Sequence, residues 1–322
     1  MSEPPTASPQ TLSSVTVLGT GALGGFYGSR LLLGGCQVRF IARSDCAILR
    51  RDGLRVDSPL GDRHHAPIEV YAASDPVPAS DCVLIGLKTT ENHRLPELLR
   101  PLVHPGTIIL NLQNGLTAEE ELVAAFPEAR VIGGVCFLCA NKIGPGRIAH
   151  LDYGSIGLAP VHERDRHLLA PLMERLAAGG ITTEELPSLA DARWRKLAWN
   201  IPFNGLSVVL NANTDVIMAD PDARRLATQL MTEVAQAAAA CGHPFAPGFI
   251  AERLALTERM TPYAPSMRLD YLAHRPLEIE YLYRRPLREA QSRGLRLTAI
   301  EMLADQLTFL ERHHQRNPEP GR

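Results

Sequence analysis

The chain has 322 residues, more than one hydrophobic core usually serves, so two domains are expected. With 45% hydrophobic and 21% charged residues and a formal net charge of −2, it has an ordinary globular composition, which excludes nucleic-acid binding driven by overall charge. No apolar run reaches the roughly 18 residues of a membrane-spanning helix.

The first fourteen residues are rich in Pro, Ser and Thr and hold neither a basic residue nor an apolar core. They read as a disordered tail (1–13 in domain terms) and not as a signal or transit peptide. Next comes a stretch of alternating strands and helices, the pattern of a doubly wound parallel sheet. Strands are expected at 15–18 and 38–42 around a helix at 22–33, then a hairpin at 54–73 turning at Pro59-Leu60-Gly61-Asp62. Further buried strands fall at 82–88, 107–112 and 131–138, and 146–158 resembles a second hairpin. A helix near 165–178 and a strand at 181–185 complete this region.

From Pro187 onward only helices are expected. One starts near Asp191; another has Asp220 as N-cap and Pro221 at its first position, and ends before Gly242. Others cover about 248–260, 276–293 and 298–311. The domain reading is thus a nucleotide-binding α/β domain at 14–186, an all-helical domain at 187–312 and an untethered end at 313–322. Cys36, Cys46, Cys82, Cys136, Cys139 and Cys241 are scattered. The CxxC spacing at Cys136 lacks the second pair or His cluster of a zinc site, so no metal is expected and the setting reads as reducing and cytoplasmic.

Gly19-Thr20-Gly21-Ala22-Leu23-Gly24 follows a strand and opens a helix, where a G-x-G-x-x-G motif must lie to bind a dinucleotide pyrophosphate. The first glycine permits the turn, the second lets phosphate approach the backbone, and the third lets helix and strand pack closely. The amides at the helix start receive the negative charge. NAD sites usually put a carboxylate at the end of the second strand. Here that strand ends Ile41-Ala42-Arg43-Ser44, and the Arg43 guanidinium suits the 2′-phosphate of NADP. Asp45 is the dissenting residue and reads as the cap of a following helix. Lys88 and Asn114 sit in two further loops at strand C-termini, the ligand-binding edge of such sheets. A solvated lysine and a plain Asn-Gly turn would leave the same sequence.

The helix beginning near Asp191 carries the second signal. Wound at about 100° per residue, it gathers Lys196, Asn200, Asn204, Ser207 and Asn211 into a stripe about 80° wide. Nearly everything else around its circumference is apolar, so the helix is expected to be buried, with the stripe facing an internal cleft. One ammonium among neutral hydrogen-bonding groups can bind and protonate a small polar substrate. Pro202 is expected to kink the helix, which makes Ser207 and Asn211 the weaker members.

Together these residues resemble the ketopantoate reductase (2-dehydropantoate 2-reductase) family from about 15 to 310. The resemblance rests on the glycine motif, Lys88-Thr89, Gln113-Asn114-Gly115 and Pro145-Gly146-Arg147-Ile148-Ala149-His150. It continues through Trp194-Arg195-Lys196-Leu197 with Asn200 and Asn204, and Ser266-Met267 with Glu278-Ile279-Glu280. It implies a Rossmann-type domain followed by an all-helical one, in an NADP-dependent oxidoreductase acting on a CH–OH group. Lys196 is then the general acid, assisted by Glu278, while Asn200, Asn204 and Ser266 hold the substrate. Asn114 and Lys88 line the nicotinamide and substrate side of the cleft, Asn114 touching substrate as well as cofactor, and Arg43 meets the NADPH 2′-phosphate.

Two departures bear on the substrate. Thr214 stands where the family often has Asn, and Tyr281-Leu282-Tyr283-Arg284-Arg285-Pro286 where many members have Asn-Gly. The expected reaction is reduction of a small 2-oxo acid, foremost ketopantoate to pantoate on the way to coenzyme A. The expected partner is that small acid alone, with no nucleic acid or membrane, in a monomer or homodimer. A β-hydroxyacid dehydrogenase is the first alternative, although that family shows Lys-x-x-Asn where this chain has Lys196-x-x-x-Asn200. A non-catalytic NADP-binding regulator is the second, with little reason to keep Lys196, Glu278 and the asparagines together.

Overall fold

The computed structural model describes residues 12–316. These form two compact units: residues up to 113 with 119–189, and 114–118 with 190 onward.

The first unit contains, in chain order, β1 (Ser14–Leu18), α1 (Ala22–Leu33), β2 (Gln37–Ile41), α2 (Cys46–Asp52), β3 (Leu54–Asp57), β4 (Arg63–His65) and β5 (Glu69–Tyr71). There follow β6 (Cys82–Ile85), α3 (Leu95–Leu99), β7 (Ile108–Asn111), α4 (Ala118–Ala125), β8 (Arg130–Gly144), β9 (Arg147–Pro160), α5 (Leu169–Ala178) and β10 (Thr183–Glu185). All ten strands join one sheet, ordered β4-β3-β9-β8-β7-β6-β1-β2-β5, with β10 beside β9. The run from β5 to β8 is parallel throughout. In chain order those six strands lie 3-2-1-4-5-6, the dinucleotide-binding arrangement.

Successive side chains of a strand point to opposite faces, and here each face has its own core. Val15, Val17, Leu84 and Leu110 pack on one side with Phe26, Tyr27 and Leu31 of α1. Leu18, Val83, Ile85 and Ile109 pack on the other with Leu95, Leu99 and Leu122. Burial on both faces explains why the parallel strands read as near-continuous apolar runs.

The expected second hairpin at 146–158 is one strand, β9, antiparallel to the longer β8. It looked interrupted because Tyr153 (φ 62°) and Gly154 (φ 117°) form an irregularity that breaks the alternation. His150 supports it by donating Nε2–H towards the carbonyls of Asp152 and Tyr153, both at 3.1 Å. Residues 12–13 and 313–316 of the expected tails fall among the described residues. Leu12 is buried in the first core, and Ser13 and Ser14 donate through backbone and hydroxyl groups to the Asp81 carboxylate. The last helix runs to Arg316. The remaining tail residues, 1–11 and 317–322, lie outside the described residues.

The second unit is helical: α6 (Leu189–Val209), α7 (Thr214–Ala219), α8 (Pro221–Ala240), α9 (Phe249–Arg259), α10 (Ser266–Leu272), α11 (Arg285–Ser292) and α12 (Thr298–Arg316). Its core joins Trp194, Leu197, Ile201 and Phe203 of α6 to Leu230 and Val234 of α8, Tyr283, and Leu303 and Leu307 of α12. Asp220 caps α8 as expected, Oδ1 accepting from the amides of Asp222 and Ala223 at 2.9 and 2.8 Å. The helix expected at 276–293 instead begins with a π-helical turn, Glu280–Arg284, before α11. Pro286 has no amide for the Leu282 carbonyl, and the widened turn ends just ahead of it. Sequence periodicity missed α7 and α10, which are too short to display it. No helix among the described residues is long and apolar enough to cross a membrane.

Candidate active site

The glycine loop sits between β1 and α1, beside the point where the strand order reverses. Gly19 takes φ +97°, a left-handed conformation that favours glycine. A Cβ on Gly24 would lie 1.9 Å from the Gly19 carbonyl oxygen, so only glycine lets α1 approach this closely. A Cβ on Gly21 would find only the Gly86 carbonyl, at 3.9 Å. Open space therefore lies over the start of α1, whose N-cap, Gly21, offers no side-chain acceptor to the first amides. Ala22 and Leu23 are half-buried in that first turn and Thr20 is buried beside it. A pyrophosphate fits this cradle: there is room, and there are amide donors.

Lys88 lies three residues beyond β6, half-buried, at the N-cap position of the 3₁₀ turn Thr89–Arg94. Gln113 braces this loop, its Nε2 donating to the Leu87 carbonyl at 3.0 Å and to Asn92 Oδ1 at 2.6 Å. Sequence reading gave Gln113 no role, although it stands inside the quoted motif. Arg43, at the end of β2, is 77% exposed and lies 3.7 Å from Glu91, which also pairs with Arg94 at 2.9 Å.

Asp45 occupies the N-cap position of α2 but makes no side-chain cap there. Its buried carboxylate pairs with Lys142 at 2.6 Å and accepts from the Gly146 amide at 2.9 Å and the Ser44 hydroxyl at 2.8 Å. Burial pushes this carboxyl up, yet those three donors outweigh burial and hold it below the usual range. The dissenting carboxylate is thus committed to the β8–β9 turn.

In the second unit, Lys196, Asn200 and Asn204 follow one another at four-residue spacing along one face of α6, which continues unbroken through Pro202. Lys196 is half-buried; Asn200 and Asn204 are buried. The other two stripe members do not belong with them. Ser207 is wholly buried and donates back to the Asn204 carbonyl at 2.9 Å. Asn211 lies beyond the end of α6, exposed at φ 49°, where Arg268 donates to its Oδ1 at 3.1 Å.

Asn204 Oδ1 accepts the Met267 amide at 3.2 Å, which ties the first turn of α10, and hence the neighbouring Ser266, to α6. Ser266 itself is exposed as the first residue of α10 and caps nothing. Glu278 is buried just before the π-helical turn, its carbonyl accepting the Leu282 amide at 3.2 Å. From that turn the Tyr283 hydroxyl donates to the Ile201 carbonyl of α6 at 2.9 Å and lies 3.9 Å from Met267 Sδ. Gly205 makes room, since a Cβ there would stand 2.8 Å from the hydroxyl. One buried phenol thus joins the three segments that carry Lys196, Ser266 and Glu278, and burial raises its pKa. Sequence reading flagged this stretch as a departure without finding that function.

Asn114 is half-buried in the β7–α4 segment that groups with the helical unit. There the Leu116 amide donates to the Tyr281 carbonyl at 3.2 Å and Arg285 donates to Thr117 Oγ1 at 3.1 Å. Thr214, the family departure, is buried and donates to the Tyr263 carbonyl at 3.2 Å.

The sequence profile described as ketopantoate reductase PanE/ApbA matches residues 15–163, and that of its C-terminal part matches 188–311. The chain is 45% identical over 300 residues to 2-dehydropantoate 2-reductase of Nostoc sp., covering 92% of this chain and 94% of the relative. The crystal structure of 2-dehydropantoate 2-reductase from Geobacter metallireducens matches with a TM-score of 0.89 at 39% identity, covering 92% of this chain and 99% of that one. That from Methylococcus capsulatus matches at 0.83 and 32%, covering 93% and 97%. The fold and glycine loop define a NAD(P)-dependent dehydrogenase. Within that class, the chain belongs to the ketopantoate reductase family.

Proposed function

We propose that this protein reduces 2-dehydropantoate (ketopantoate) to pantoate with NADPH. The observation that carries the reading is the half-buried Lys196 in line with buried Asn200 and Asn204 along one face of a largely buried helix, in a chain of this family.

NADPH, when bound, supplies the hydride to the 2-oxo carbon. Gly19 to Gly24 hold its pyrophosphate, Lys88 and Asn114 flank the nicotinamide side, and Arg43 takes the 2′-phosphate. Lys196 donates its ammonium proton to the carbonyl oxygen as negative charge builds there, then regains a proton from water. Glu278 offsets the cost of keeping that ammonium partly buried. Asn200, Asn204 and Ser266 hold the substrate's carboxylate and hydroxyl groups. NADP is favoured over NAD because the end of β2 presents Arg43, while Asp45 is turned to Lys142 and Gly146.

The test is a panel of 2-oxo acids assayed with NADPH and then NADH. Ketopantoate with NADPH should give the highest kcat/KM. A higher value for another acid would keep the chemistry and replace the substrate.

A further inference from the structure

The cluster at the ends of β2 and β6 holds a feature the reaction does not use. Arg43 faces a protein carboxylate, Glu91, at 3.7 Å, and Glu91 also holds Arg94 at 2.9 Å. Glu91 lies in the 3₁₀ turn that follows Lys88, and its side chain is 29% exposed. We infer that Glu91 is an internal competitor for Arg43, and that it sets how strongly the protein prefers NADPH to NADH.

The inference rests on the proposed pairing of Arg43 with the 2′-phosphate. A phosphate that takes this guanidinium must displace Glu91 or accept a like charge beside it. Either event opposes the triphosphorylated cofactor, while NADH, with a bare 2′-hydroxyl, feels little of it. The existing pair is loose and Arg43 is mostly in solvent, so it is easily exchanged for a dianion that binds guanidinium in a bidentate fork. Glu91 thereby parks Arg43 when the cofactor is absent and weakens the grip on NADP when it leaves.

The experiment is direct titration of the protein with NADPH and with NADH, followed by nucleotide fluorescence, in wild type, Glu91→Gln, Arg43→Ala and the double variant. Glu91→Gln should tighten NADPH about three- to tenfold, the scale of one like charge a few ångströms away near a surface, and change NADH less than twofold. The gain should shrink in 0.5 M salt and be clearly smaller when Arg43 is also Ala. Unchanged or weaker NADPH binding in Glu91→Gln overturns the inference, as does an equal gain in the Arg43→Ala background. Failure of the underlying reading looks different: Arg43→Ala would then weaken NADPH and NADH alike.

Discussion

Gly21→Ala isolates the cofactor cradle from the fold. Gly21 has φ −75° and ψ −167°, values open to any residue, and its added Cβ would meet only one atom, at 3.9 Å. A poorer N-cap and a less flexible unfolded chain act in opposite directions, so stability should change by less than about 1 kcal/mol. For a unit of this size that is a Tm shift within about 3 °C. The methyl group nevertheless fills the space over the α1 amides, and an overlap of about 1.5–3 kcal/mol weakens NADPH at least about tenfold. Gly24→Ala is the contrast. Its Cβ would lie 1.9 Å from the Gly19 oxygen and 3.1 Å from Val17 Cγ1, so backbone must move. A cost of about 3 kcal/mol lowers Tm by about 6–12 °C. Thermal melts without cofactor, paired with NADPH titrations, separate the two variants. If Gly21→Ala binds NADPH within twofold of wild type, or melts as early as Gly24→Ala, the assignment of the cradle is wrong.

Two more outcomes follow from buried polar contacts. Asp45 titrates below its ordinary value when folded, so its stabilisation is present above about pH 4 and lost as pH falls through the lower folded value. Lys142→Met should therefore show a shallower loss of stability between about pH 5 and 2 in urea titrations; an unchanged acid limb would remove Asp45–Lys142 from the account. Tyr283→Phe forfeits one buried hydrogen bond, about 1 kcal/mol. Gly205→Ala should cost more, about 1–3 kcal/mol, because its Cβ meets Leu303 Cδ2 at 2.6 Å as well as the phenol. The reverse order in denaturant midpoints would contradict the three-way junction.

Local patterns carried most of the fold into the sequence. The parallel strands were legible because both faces are apolar, and α8 because Asp220 and Pro221 mark its start. The β8–β9 ribbon was misread because Tyr153–Gly154 breaks its period, and the π-helical turn because only backbone bonding around Pro286 distinguishes it from a helix. Among the site residues, Lys196, Asn200 and Asn204 share one helix face, so spacing alone grouped them. Ser266 and Glu278 lie far along the chain and came only through the family pattern. Asn204–Met267, Tyr283–Ile201 and Gln113–Asn92 are contacts over 21 to 82 residues, which no local pattern records.

The central claim is that Lys196 supplies the proton. Lys196→Ala, assayed with ketopantoate and NADPH, should lower kcat by about 10²–10⁴, the range of a lost general acid, while NADPH binds within twofold of wild type. Turnover within threefold of wild type, with cofactor binding intact, would contradict it.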